Sequence, residues 1–162
     1  MQKVQVYAST SDYDDDVVES FYEQLQEIIN NKTGEDIFII GDFNAKIGNQ
    51  VNETERAVGQ YGYGTTNERG DTMVDFLEMN QLYAMNTFFQ KRKYRKWTWR
   101  SPDFKYENEI DFIISSNPLI VADVATVSRV NVGSDHRMIR AKVRMKTHKR
   151  NLRLKPQKRS RP

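Results

Sequence analysis

The sequence predicts an α/β domain in which a mostly antiparallel sheet carries two helices on one outer face. Three observations carry that prediction. Ile37–Ile40 is a short apolar run rich in β-branched residues, the pattern of a strand buried on both sides. Two segments, one after Asp14 and one after Asn67, place apolar residues at helical spacing. Further short apolar runs end on polar turn residues, as strands do. One domain is the natural reading of 162 residues. A chain of that length can bury about 68–70% of its unfolded surface, so a core is available.

Lys3–Tyr7 alternates polar and apolar residues and predicts the first strand. Tyr7-Ala8-Ser9-Thr10-Ser11 leaves it as a polar loop. The acidic cluster Asp12–Asp16 precedes Val17, Val18, Phe21, Leu25, Ile28 and Ile29, which predict an amphipathic helix from about Asp14 to Asn30. The cluster suits capping and the helix dipole better than metal binding, because its carboxylates are consecutive rather than convergent. Asn31-Lys32-Thr33-Gly34 ends the helix, and the Ile37–Ile40 strand follows at once. That makes a strand–helix–strand unit, whose strands should be parallel neighbours joined by a right-handed crossover. The strand stops on Gly41-Asp42-Phe43-Asn44. On an extended strand, Asp42 and Asn44 would face one spot together; the same residue types also make turns. Gly48–Thr66 reads as a long loop. Asn67-Glu68-Arg69-Gly70 opens the second helix through Met73, Val74, Phe76 and Leu77, and Leu82–Phe88 predicts a strand.

Gln90–Tyr106 is the most unusual segment. Lys91, Arg92, Lys93, Arg95, Lys96, Arg100 and Lys105 interleave with Tyr94, Trp97, Trp99, Phe104 and Tyr106. Cations neutralise phosphates and aromatic faces stack on bases, so Lys91, Arg92, Lys93, Arg95, Lys96, Trp97 and Arg100 are candidate nucleic-acid contacts. The opposing reading is a lysine-guarded edge strand with tryptophans facing inward. Glu109–Ser116 predicts a strand that holds Asp111 in an apolar stretch, which is costly unless that carboxylate is paired. Ala122–Val132 and Met138–Met145 predict two more strands, separated by the turn Gly133-Ser134-Asp135-His136. From Lys146 onward there are 8 basic residues and no acidic one, which predicts a disordered basic tail over residues 146–162.

Composition narrows the classes of function. With no cysteine, disulfides and thiolate metal sites are excluded. Mean hydropathy is −0.77, and no apolar run approaches the roughly 18 residues of a membrane helix. The start of the chain has no apolar signal-peptide core, so the expectation is an intracellular chain without a membrane partner. Charge is unevenly spread: residues 1–60 hold 12 acidic and 4 basic side chains, and residues 61–162 hold 10 and 21. One strongly basic side makes a polyanion partner the expectation.

The order Gly-Asp-Phe-Asn (41–44), Trp-Thr-Trp (97–99), Ile-Asp-Phe-Ile-Ile (110–114) and Gly-Ser-Asp-His (133–136) resembles the endonuclease/exonuclease/phosphatase superfamily. Tyr7–Asp15, Asn67–Gly70 and Trp97–Trp99 are worded most like the endonuclease domain of LINE-type (non-LTR) retrotransposons, in the form found in craniofacial development protein 2-like sequences. The resemblance covers residues 2–145. It implies the later half of a two-sheet αββα sandwich, with residues 1–145 as a partial domain.

The resemblance implies roles as well. His136 would act beside the scissile phosphate and Asp111 would orient it. Asp42 and Asn44 would hold the attacking water and phosphate, Tyr7 would touch the phosphate or leaving group, and Asp135 would lie near a divalent metal, Mg2+ or Mn2+. DNA is the implied substrate and the nucleus the implied location. The family places an asparagine and its principal metal-ligand glutamate in an earlier half, so that half, or a reverse transcriptase domain in a longer polyprotein, is an expected partner. The rival readings are an inert remnant that binds nucleic acid and a phosphatase of the same superfamily.

Overall fold

The computed structural model describes residues 1–9, 14–52, 54–128 and 133–144. β1 (Gln2–Tyr7) leads to α1 (Asp15–Asn30) and β2 (Ile37–Asp42), and β1 and β2 pair in parallel, as the strand–helix–strand unit requires. Among the described residues no regular element follows until α2 (Glu68–Met79), so the long loop is as expected. Then come β3 (Tyr83–Ala84), the hairpin of β4 (Trp99–Arg100) and β5 (Glu107–Asn108), β6 (Asp111–Ser115), β7 (Val121–Thr126) and β8 (Ile139–Val143). The main sheet has the order β1-β2-β6-β3, and β6 runs antiparallel to both its neighbours.

Two apolar layers follow from strand alternation. Ile37, Ile39, Phe112 and Ile114 face α1 and α2 and pack with Leu25, Met73, Phe76 and Leu77. Phe38 and Ile113 face the other way and pack against Val121 and Val124 of the β7–β8 hairpin. The second layer agrees with the two-sheet sandwich expectation: the hairpin lies on the face opposite the helices instead of extending the main sheet.

Other expectations are adjusted by local chemistry. Only Tyr83–Ala84 of the Leu82–Phe88 run is extended. Met85–Phe88 turns as a 3-10 helix, in which the Thr87 hydroxyl donates to the Ala84 carbonyl at 2.7 Å. Asp14 sits at the N-cap of α1 but makes no side-chain capping bond, so Asp15 and Asp16 serve that helix through its dipole alone; Asp12 lies outside the described residues. By contrast, Asn67 caps α2. Its side chain accepts from Gly70 N at 3.0 Å and from Lys46 N at 2.9 Å, which ties the helix to the exit of β2. Ala122–Val132 is strand only to Thr126, with residues 129–132 outside the described residues, as is the tail 146–162.

Candidate functional site at one end of the main sheet

Register builds the site. Tyr7 pairs with Asp42 across β1 and β2, and Asp42 pairs with Asp111 across β2 and β6. Register partners on adjacent strands point to the same side. Tyr7, Asp42 and Asp111 therefore form a row at one end of the sheet, on the face that carries the β7–β8 hairpin. Gly41 lets the strands approach there: a Cβ on it would lie 1.8 Å from the Val6 carbonyl oxygen.

His136 comes to this row from the loop before β8. Its Nδ1 lies 3.0 Å from Asp111 Oδ2, and its Nε2 lies 3.8 Å from Asp42 Oδ2. Asp42 is only 7% exposed. Burial pushes its carboxyl above the usual range, and the charges of Asp111 and Asp135 add to that push. The Asn44 backbone N–H and His136 oppose it.

Asn44 contributes differently from the strand argument. The strand ends at Asp42, and Asn44 adopts a left-handed φ of 48°. Its backbone N–H donates to Asp42 Oδ1 at 2.9 Å and its Nδ2 donates to the Ala8 carbonyl at 2.8 Å. The turn chemistry and the site thus coincide, with Asn44 bracing Asp42 and the end of β1. Tyr7 is 72% exposed, on the row but open to solvent.

Trp97-Thr98-Trp99 is the fastening. The wholly buried Thr98 Oγ1 accepts from the backbone N–H groups of Ile110 and Asp111, each at 3.0 Å. Thr98 O accepts from Arg137 N at 2.6 Å, and Arg100 N donates to Asp135 O at 3.0 Å. The Trp99 indole N–H donates to Asp135 Oδ2 at 2.9 Å. One segment thus grips both the Asp111 strand and the Asp135-His136 loop. Asp135 points its carboxylate at Trp99, and among the described residues Asp42, Asp111 and His136 bring three ligand-type atoms within 4.8 Å of one another. Two carboxylates and an imidazole at that spacing fit a divalent cation that takes oxygen and nitrogen donors.

The basic segment divides. Lys96 is 5% exposed and bridges Glu109 at 3.3 Å between two buried side chains, so it cannot reach a phosphate. Trp97 is 5% exposed, under the Arg137 guanidinium at 3.1 Å and the Arg100 guanidinium at 4.5 Å, and no base can stack on it. Both are corrections: burial of the aromatic face and of the charge turned them into core. Lys91 pairs with Asp123 and Arg100 with Glu107, which leaves Arg92 and Lys93 as the exposed cations of the group, with Arg95 half-buried. The segment is strand only at Trp99–Arg100, and Trp97 faces inward as the edge-strand reading expected. Lys93–Arg95 is a 3-10 turn, and Arg137 donates to the Tyr94 carbonyl at 2.7 Å.

Asn86 and Arg137 support the candidate site through their contacts, and sequence patterns did not single them out. Asn86 Nδ2 donates to Asp111 O at 3.0 Å and to Glu109 Oε1 at 3.3 Å, while its Oδ1 accepts from Ile113 N at 3.0 Å. An amide inside the apolar run Leu82–Phe88 was the available signal, since buried polar groups need partners.

An imidazole oriented by one carboxylate and facing a second can take or give a proton at Nε2. A family model described as "Endonuclease-reverse transcriptase" matches residues 1–140. The chain belongs to the endonuclease-reverse transcriptase family. Among curated relatives of this family member, craniofacial development protein 2 of Bos taurus is 39% identical over 146 residues, covering 88% of this chain and 24% of that protein. The Tragulus javanicus protein of the same name is 38% identical over 146 residues, covering 88% and 25%. The chain spans about a quarter of the length of both.

Solved structures share the fold at low identity. The endonuclease domain of TRAS1, a telomere-specific non-LTR retrotransposon, is 15% identical with a TM-score of 0.59, covering 88% of this chain and 56% of that one. The 3′ phosphatase NExo from Neisseria, bound to product DNA hairpin, is 15% identical with a TM-score of 0.63, covering 88% and 61%. The AP endonuclease LMAP from Leishmania major is 14% identical with a TM-score of 0.59, covering 87% and 49%. Family and fold together place this endonuclease-reverse transcriptase family member in the endonuclease/exonuclease/phosphatase superfamily.

Proposed function

We propose that this chain is part of a DNA endonuclease domain of a non-LTR retrotransposon, or of a gene derived from one, and that its reaction is hydrolysis of a phosphodiester. The observation that carries the proposal is the set of His136, Asp111 and Asp42, in which one imidazole faces two carboxylates from register partners. The family description and the TRAS1 fold support the retrotransposon origin. Chromosomal DNA as substrate implies action in the nucleus. Partners would be DNA and the remainder of a longer polyprotein, including a reverse transcriptase.

Each residue has a role by its position. His136 holds or moves a proton at Nε2, and Asp111 fixes the ring through Nδ1. Asp42 orients water or the leaving oxygen, braced by Asn44. Tyr7 offers a hydroxyl at the open end of the row. Asp42 and Asp111, with the His136 imidazole beside them, would hold Mg2+ or Mn2+, whereas the Asp135 carboxylate, expected near the metal, is engaged by the Trp99 indole N–H. Such an ion supplies stabilisation of charge on the phosphoryl oxygens. Arg92, Lys93 and Arg95 would meet backbone phosphates.

The test joins this chain to the preceding half of a family relative and assays nicking of supercoiled plasmid with Mg2+ or Mn2+. Release of phosphate from a 3′-phosphorylated oligonucleotide is measured alongside. The joined protein is expected to nick. His136→Ala should lose about 10²–10⁴-fold of the rate, the usual worth of general acid–base catalysis, at nearly unchanged DNA affinity. The unjoined chain should nick far more slowly, because three side chains supply few of the ligands a hard cation takes. Near-normal nicking by the His136→Ala protein would refute the assignment. Activity on the 3′-phosphate alone would favour a phosphatase.

A further inference from the structure

α1 and α2 leave a groove of about 550 Å³ between them, away from His136. Val18, Tyr22, Phe76 and Met79 form its apolar lining, and Met79 is 76% exposed. Asp15, Glu19, Glu23, Glu68 and Asp75 bring five carboxylates to the same groove. Arg69 is its one lining cation among the described residues, and Asp15 already sits 3.6 Å from it. An apolar trough with an acidic rim fits a segment that alternates leucine with cations. The chain has one: Lys149-Arg150-Asn151-Leu152-Arg153-Leu154-Lys155.

Topology brings the two within reach. Arg144 is the last described residue, and its N–H donates to the Ile120 carbonyl. Ile120 follows Asn117, whose side chain donates to Asp36 Oδ1 at 2.9 Å, and Asp36 lies between α1 and β2. The tail therefore starts at the end of the molecule where α1 finishes. The groove reaches that same end, since Gln26 near the finish of α1 and Met79 at the finish of α2 both line it, and Gln26 donates to Asn80 there at 2.8 Å. The eight residues from Met145 to Leu152 can span up to about 28 Å. The stretch of α1 from Asp15 to Gln26 is about 16 Å long.

We propose that the basic tail, residues 146–162, docks in the α1–α2 groove of its own chain, with Leu152 and Leu154 on the apolar lining and the flanking cations against the carboxylate rim. Cations held there are not available to DNA, so the groove and nucleic acid compete for the tail. The docking stands independently of the catalytic reading, since it uses none of the residues at His136.

The experiment is zero-length carbodiimide cross-linking of the full chain, read by peptide mass spectrometry on an equal mixture of ordinary and 15N-labelled protein. Cross-links within one copy from Lys149 or Lys155 to Glu19, Glu23 or Asp75 are the expected result. Their yield should fall at least about tenfold when Leu152 and Leu154 are both changed to Ser, because two leucines lose their apolar burial. The serine variant is expected to keep the circular dichroism spectrum and cooperative thermal melt of the wild type, which separates a lost docking from a lost fold. Cross-links confined to carboxylates outside the groove, cross-links between copies, or an unchanged yield in the serine variant would each overturn the proposal.

Discussion

Lys96→Met separates the structural from the DNA-binding reading of the basic segment. Lys96 Nζ lies 3.3 Å from Glu109 Oε1, with side chains 6% and 3% exposed. It also donates to the Asn86 carbonyl at 2.5 Å. Burial pushes the Lys96 ammonium down and the Glu109 carboxyl up, and each partner's charge opposes the other's shift. Methionine removes the cation and leaves a buried carboxylate to Asn86 and a backbone N–H of Tyr63. Breaking one side of such a pair costs about 3–5 kcal/mol. A domain of this size loses about 2–4 °C of Tm per kcal/mol, so the fall is roughly 6–20 °C. The penalty should shrink on acidification, because a Glu109 without its cation takes a proton more readily in the folded state than in the unfolded one. Exchanging both partners, Lys96→Met with Glu109→Leu, should return stability to within about 1–2 kcal/mol of wild type. Urea unfolding of the four proteins gives the coupling energy directly. Duplex-DNA affinity across a salt series, measured on the same proteins, should show an unchanged slope in every one that stays folded. A cost below about 1 kcal/mol for Lys96→Met, or a slope reduced by about 0.9, would refute the reasoning.

Thr98→Val keeps the shape of the side chain but strands the buried N–H groups of Ile110 and Asp111, so it should cost about 1–3 kcal/mol per group by denaturation; a cost below about 0.5 kcal/mol would count against the fastening role. Asp42 has a folded pKa above its unfolded value, so its contribution to stability is present below the unfolded pKa of about 3.9 and is lost as pH rises through the folded one. Asp42→Asn should therefore unfold at higher urea than wild type at pH 8, with the difference closing at acid pH; equal midpoints at pH 8 would contradict this. Neutralising Arg92 and Lys93 together should lower the salt slope of DNA binding by about 0.9 for each phosphate that the pair neutralises, and a flat salt response of the wild type would dismiss DNA as partner. Mg2+ should bind the chain by itself more weakly than micromolar in calorimetry, since two carboxylates and an imidazole complete few of its sites.

The frame was legible because it follows from local period. Alternation pointed to β1, helical spacing to α1 and α2, and the β-branched run Ile37–Ile40 to β2. The convergence of Asp42, Asp111 and His136 at the candidate site was also legible, but as an ordered set of motifs rather than as isolated side chains. Their convergence depends on register between β2 and β6, two strands about seventy positions apart, and no local pattern states that register. The short β3 was the counter-case. Leu82–Phe88 carries a strand-like composition, yet Asn86 and Thr87 find better partners by turning, and side-chain hydrogen bonds outweigh the propensity.

The run from Lys91 to Arg100 shows why composition misleads at a site. Its cations and aromatics are dense enough to read as a phosphate-binding surface, but density says nothing about direction. Trp97 is covered because Arg137 and Arg100 stack on it, and Arg137 follows His136 directly. Lys96 is covered because Glu109, two residues before Asp111, stands beneath it. Both burials hold the same two pieces that Thr98 holds, the loop of His136 and the start of β6. The segment that looked like a contact for substrate is therefore, in its second half, the brace of the His136–Asp111 pair. Only its first half, at Arg92 and Lys93, keeps charge fully on the outside. A brace needs buried aromatic area and buried charge in one short stretch, and a nucleic-acid surface needs the same residue types exposed. Sequence alone cannot separate the two, whereas the accessibility of two side chains, Lys96 and Trp97, does.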